Sequence, residues 1–168
     1  MKPLVSIIMG STSDYDIMEK AAKFLDEQNI PFEINALSAH RTAEQVMTFA
    51  KNAEQRGVKV IIAGAGMAAA LPGAIAAETT LPVIGVPIKG CFDGLDSMLS
   101  MIQMPPGIPV ATVAVNGSMN AAVLAMEILA LTDEDIKHKM HCYKASLKDK
   151  IIKANEDLKS KEFKNRVF

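Results

Sequence analysis

Apolar strand-length runs that alternate with helical patterns predict an α/β protein: three layers, α/β/α, around a five-stranded parallel sheet in flavodoxin-like order 2-1-3-4-5. Three observations carry that expectation. Runs such as Leu4–Met9 and Val58–Ala63 are apolar throughout, as strands buried on both faces are. Each run leads through a polar or glycine-bearing loop into a helical pattern, the order that parallel strands with right-handed crossovers produce. The 168 residues suit one core, so 1–168 reads as a single domain. Within it, 1–131 is the α/β core, 132–160 a C-terminal helix and 161–168 a tail.

Leu4–Met9 is the first strand, and Gly10-Ser11-Thr12-Ser13-Asp14 is a small polar loop. Ile17, Met18, Ala21, Ala22, Phe24 and Leu25 follow at helical spacing. Ser13 is placed to cap that helix, whose unpaired N–H groups make an anion seat. Pro31 interrupts, and Phe32–Leu37 is the second strand. Thr42 caps the next helix with Gln45 three positions on, a capping-box spacing, and Gly57 ends it. Val58–Ala63 is the third strand, closing in Gly64-Ala65-Gly66. Met67–Ala77 is small and apolar all round, a buried helix split by Pro72 and Gly73. Val83–Val86 is the fourth strand, followed by the loop Pro87–Gly94 and a helix with Leu95, Met98, Leu99 and Ile102 on its apolar side. Val110–Val115 is the fifth strand and Met119–Leu131 a long apolar helix. Thr132-Asp133-Glu134-Asp135 caps a last helix reaching about Ser160, with Ile136, Met140, Tyr143, Leu147, Ile151, Ala154 and Leu158 in a stripe. Some 28 residues at about 1.5 Å each span roughly 42 Å, more than one domain covers, so a neighbouring subunit is expected there.

Composition narrows the class. Apolar residues make up 49% and charged residues 22%, with a net charge of -1, which excludes disorder. The 11 methionines read as core filler. Residues 144–168 are basic, but the rest is acidic and no aromatic platform accompanies the lysines, so no nucleic acid partner is expected. Cys91 and Cys142 form no CxxC, and no secretory pattern leads the chain, which fits reduced thiols in a cytoplasmic protein. No apolar run nears the roughly 18 residues that a membrane span needs. His138 and Cys142 lie one helical turn apart without further ligands, so no metal is expected.

The chemistry centres on Ser38-Ala39-His40-Arg41-Thr42, at a strand's C-terminal end, where parallel sheets bind ligands. An imidazole can take or give a proton near neutral pH, and a guanidinium can hold a phosphate by two parallel hydrogen bonds. The loops after the first three strands open on the same edge. Ser11 and Ser13 offer hydroxyls and N–H groups to a phosphate, Asp14 suits a pair of ribose hydroxyls, and Gly64 and Gly66 let backbone approach a planar ring. Together they describe a pocket for a phosphorylated riboside. Helix capping alone would also account for Ser13 and Asp14, and a structural role for the His-Arg pair. Gly64-x-Gly66-x-x-Ala69 follows the third strand, and Ile84 stands where a dinucleotide site has its acid, which excludes nicotinamide. Ala63 and Gly64 stand where a phosphorelay receiver has its aspartate.

Ser38-Ala39-His40-Arg41-Thr42, Gly10-Ser11-Thr12-Ser13-Asp14, Ile61-Ile62-Ala63-Gly64-Ala65-Gly66, Leu71-Pro72-Gly73, Gly85-Val86-Pro87 and Gln103-Met104-Pro105 together resemble the N5-carboxyaminoimidazole ribonucleotide mutase family of bacterial purine synthesis, from Val5 to about Leu131. The resemblance implies a homo-octamer with C-terminal helices packed on neighbours, and transfer of a carboxylate from an exocyclic nitrogen to ring carbon C4 without a cofactor. It makes His40 the catalytic residue, Ser11, Asp14 and Arg41 substrate contacts, and Ser38, Ala39, Gly64, Ala65 and Gly66 pocket lining. The related carboxylases that use CO2 directly usually have Lys at the position of Arg41 and lack the Gly-Ala-Gly and Leu-Pro-Gly pieces, which favours the mutase. Two departures stand out: Ala70 where the family usually has His, and Met67 where it usually has Gly. A CO2-using carboxylase and a non-catalytic ribotide binder are the alternatives.

Overall fold

A computed structural model describes residues 2–167. Five parallel strands, β1 (Val5–Met9), β2 (Phe32–Ala36), β3 (Val60–Gly66), β4 (Val83–Ile88) and β5 (Ala111–Thr112), form one sheet in the order β2-β1-β3-β4-β5. The expected fold class and strand order are therefore observed. β1, β3 and β4 are buried along nearly their whole length, which is why their sequences do not alternate.

Burial on both faces divides the core in two. Val5, Ile7, Met9, Val60, Ile62, Ile84 and Val86 face α1 (Tyr15–Glu27), α6 (Ser118–Leu129) and the start of α7 (Glu134–Lys159). Ile8, Ile61, Ala63 and Val83 face α2 (Ala43–Lys51), α3 (Ala53–Arg56), α4 (Ala70–Ala76) and α5 (Leu95–Ile102). Ser6 is the polar exception in β1. Its hydroxyl donates to Glu33 Oε1 at 2.9 Å, and Glu33 is gripped in turn by Arg56 at 2.9 Å. Arg56 also stacks on Phe49 and donates to the Phe49 carbonyl, so one network fastens β2 to the α2–α3 segment.

Several local expectations are corrected. Ser13 caps nothing: Ser11 accepts its N–H at 3.3 Å and starts a short 3-10 turn, Thr12–Asp14, ahead of α1. Thr42 sits at the N-cap position of α2, but its hydroxyl turns back to Ser38, accepting the Ser38 N–H at 2.9 Å and donating to the Ser38 carbonyl at 3.1 Å. The helix ending at Gly57 breaks at Asn52 into α2 and α3. Gly64-Ala65-Gly66 is strand rather than loop, because β3 extends through it to pair with β4. Pro72 does not split α4; it lies in the first turn, where backbone N–H groups have no helical acceptor to lose. β5 is only two residues long.

Two helices turn apolar faces outward. In α5 it is Ser97 and Met101 that are buried, while Leu95, Leu99 and Ile102 are exposed. In α7 only the first turns dock: Asp133 caps the helix through the Ile136 N–H at 3.0 Å, Ile136 and Met140 are buried, and Tyr143 meets Phe24 edge-on at 4.9 Å. Beyond them Leu147, Ile151 and Leu158 are exposed. Not all methionines are core filler: Met9, Met18, Met101, Met126 and Met140 are buried, but Met47, Met67 and Met119 are exposed. Among the described residues, no helix is long and apolar enough to cross a membrane.

Candidate active site

At the C-terminal edge of the sheet, four loops enclose a cavity of about 510 Å³, within the usual range for a small-molecule site. The loop after β1 contributes Gly10, Ser11, Ser13 and Asp14; the loop after β2 contributes Ser38, Ala39, His40 and Arg41; the end of β3 contributes Ala65 and Gly66. All the predicted site residues but one thus line a single space. Gly64 does not. A Cβ there would lie 2.4 Å from Met18 Sδ, so this glycine lets α1 sit close against β3 beneath the pocket.

The loop after β2 is a closed turn that carries His40 and Arg41. Thr42 N–H donates to the Ser38 carbonyl at 2.8 Å, and Ser38 Oγ accepts from both the backbone N–H and Nε of Arg41 at 3.3 Å. Arg41 Nη2 then reaches across to the Gly10 carbonyl at 3.1 Å, tying the β2 loop to the β1 loop. A guanidinium has five N–H donors. With the Nε donor on Ser38 and one Nη2 donor on Gly10, three are left. His40, beside it, is exposed at the pocket.

Asp14 is the acid of the pocket. Its own N–H donates to the Ser11 carbonyl at 3.1 Å, and the Ser13 hydroxyl reaches Oδ1 at 3.5 Å. Partial burial nevertheless dominates and holds the carboxyl above the ordinary 3.8, against the lowering effect of the Ser11 and Ser13 contacts.

A fourth wall adds to the three loops that the sequence brings together, and it comes from Gly90 rather than from Cys91 of the same loop. Lys89 and Gly90, after β4, line the pocket, as do Met67, Ala68 and Ala69 after β3, with Ala70 and Leu71 at the start of α4. The signal was present: in this strand order the β4 loop opens on the same edge as the other three. Lys89 pairs with Asp93 at 2.7 Å, and its N–H donates to Asn116 Oδ1 at 2.9 Å, which anchors that loop. A larger open hollow, about 900 Å³, lies at the opposite edge near Pro82 and Pro109, and it gathers no histidine, cysteine or arginine.

The sequence profile of AIR carboxylase matches residues 4–150. The chain belongs to the AIR carboxylase family. Relatives in that family include the N5-carboxyaminoimidazole ribonucleotide mutase of Pyrococcus horikoshii, 56% identical over 151 residues, covering 89% of this chain and 85% of that protein. The enzyme of the same name from Bacillus subtilis is 49% identical over 161 residues, covering 94% of this chain and 99% of that one. The crystal structure of Treponema denticola PurE2-S38D superposes with a TM-score of 0.86 at 37% identity, covering 95% of this chain and 99% of that chain. The matched residues, 4–150, include all four loops that meet at the edge of the sheet.

Proposed function

We propose that the chain is an isomerase of purine biosynthesis that moves the carboxylate of N5-carboxyaminoimidazole ribonucleotide to ring carbon C4, giving 4-carboxy-5-aminoimidazole ribonucleotide. The observation that carries this reading is the convergence of His40, Arg41, Ser11 and Asp14, from two separate loops, on one ribotide-sized cavity. The named relatives, aligned over most of both chains, support it.

A carbamate on nitrogen loses CO2 readily and leaves an electron-rich ring whose C4 is nucleophilic. No cofactor is required for that. The protein must hold the freed CO2 beside C4, which is catalysis by proximity, and manage one proton. His40 supplies the proton as the carbamate breaks and removes the C4 proton afterwards. Arg41 and the Ser11–Ser13 turn hold the phosphate, Asp14 accepts from the ribose, and Ser38, Ala39, Ala65 and Gly66 line the space around the ring. Gly64 acts through packing.

The active form in this reading is a cytoplasmic homo-octamer, with the outward apolar faces of α5 and α7 covered by neighbouring copies. One assay tests the function. The protein is incubated either with aminoimidazole ribonucleotide and bicarbonate, or with the N-carboxy derivative, and C-carboxylated product is followed. Product from the derivative alone at low enzyme is expected. Product from bicarbonate instead would make it a CO2-using carboxylase, and product from neither would make it a binder.

A further inference from the structure

We propose that Met67 is a positioning residue for the carboxyl transfer, its thioether side chain walling the pocket between the β3 and β4 loops and keeping freed CO2 beside the ring. This rests on the reading given under Proposed function.

The starting point is a backbone outlier. Four non-glycine residues among those described have positive φ: Asn29, Met67, Asp93 and Asn116. Asn and Asp tolerate the left-handed region because their short polar side chains bond locally, whereas Met gains nothing of that kind. At φ 56° Met67 is the one aliphatic side chain in the set. Burial within the chain does not offset the strain either, since Met67 is 64% exposed. Strain of this sort persists where surrounding structure imposes it, and such positions cluster at ligand sites.

Its surroundings say what the side chain does there. Met67 lines the pocket, and a Cβ added to Gly90 would stand 3.8 Å from Met67 N and 3.9 Å from Met67 Cγ, so the β3 and β4 loops close on each other through this residue. The neighbouring lining, Ala68, Ala69, Ala70, Leu71 and Ile88, is apolar; the cation after it, Lys89, is paired with Asp93, and the hydroxyl groups, Asp14, His40 and Arg41 come from the β1 and β2 loops. The β1 and β2 loops thus bring the groups suited to a phosphoribosyl moiety, and the run Met67–Leu71 brings apolar wall suited to a small neutral molecule.

CO2 is that molecule. The carbamate N–C bond breaks with its electron pair left on nitrogen, which takes a proton. The C4 carbon then attacks the CO2 carbon with a ring electron pair and loses its own proton. If CO2 escapes between these steps, the product is aminoimidazole ribonucleotide. Excluding water and retaining the intermediate suppresses that side reaction.

The test measures the leak. Full-length parent, Met67→Gly and Met67→Leu proteins are given the N-carboxy substrate, and the ratio of enzyme-dependent free aminoimidazole ribonucleotide to 4-carboxy product is followed, with melting temperature and light-scattering mass alongside. Met67→Gly is expected to raise the leak ratio about tenfold, the effect of deleting one apolar wall. Its melting temperature should be unchanged or higher, because glycine accepts positive φ freely. Met67→Leu should stay close to the parent. An unchanged leak ratio in Met67→Gly overturns the inference, and so does a rise that appears only with a smaller assembly, which would make Met67 a subunit contact. A parent that yields no 4-carboxy product would instead defeat the proposed function itself.

Discussion

In the proposed function, His40 and Arg41 divide proton transfer and orientation between them, and Asp14 accepts from the ribose. Arg41 is tied down by Ser38 and Gly10, a geometry for orientation, whereas His40 faces the cavity beside it. His40→Asn should therefore leave KM within a few-fold and lower kcat by about a hundredfold or more, the usual scale for a lost proton-transfer group. Normal turnover in steady-state assays would end the assignment. The Asp14 carboxyl is held above 3.8 chiefly by burial, so its contribution to stability is fully present below pH about 3.8 and is lost as pH rises through the folded value. At pH 7 the ionised group is a net cost to the fold. Asp14→Asn should melt higher than the parent at pH 7, with the gap closing below about pH 4. The same change should raise KM for the ribotide. An equal or lower melting temperature at pH 7 would show that burial does not dominate at this site.

Among the elements, the strands were legible because β1, β3 and β4 are buried on both faces and read as unbroken apolar runs. The caps were not. Ser13 and Thr42 have the right side chains in the right places, but side-chain oxygens choose among several nearby N–H groups, and Thr42 spends its hydroxyl on Ser38 instead of on α2. That choice is what shapes the His40–Arg41 turn. Gly64 shows the same limit: sequence says that a side chain is excluded, and only the packing says by what. Since the excluding atom is Met18 Sδ and Met18 is fully buried, Gly64→Ala should cost about 1–3 kcal/mol by overpacking while leaving KM near the parent value. Adding Met18→Ala should give a total cost below the sum of the two single changes in denaturant unfolding. A large KM effect with no stability loss would return Gly64 to the ligand.

For the whole molecule, the pattern of exposure carries the prediction. Phe92, Leu95, Leu99 and Ile102 cluster on and beside α5 with 43–71% of their surface exposed, and Ile151 on α7 is 72% exposed. Contiguous apolar surface of this kind marks an interface. Light scattering should give the mass of eight chains, and Leu99→Glu with Ile102→Glu should reduce it. A single-chain mass for the parent would refute the assembly. The α7 stripe was visible in the sequence because its spacing outran any single core. The apolar side of α5 was legible too, but not its outward turn, because periodicity reports which residues share a face and not which way that face points.

The way the two faces of the sheet are covered also sets an order of events during synthesis. The α2–α5 side is complete once Ile102 has emerged, but the other side waits for α6, whose Ser118 hydroxyl donates to the Ile17 carbonyl of α1, and for Ile136 and Met140 of α7. A nascent chain therefore carries its histidine and arginine for some ninety residues (His40 to Leu129) before the second layer closes behind them. Until α6 and α7 arrive, Ile7, Ile62 and Ile84 lack the layer that buries them in the finished chain, and apolar surface left open in this way favours aggregation.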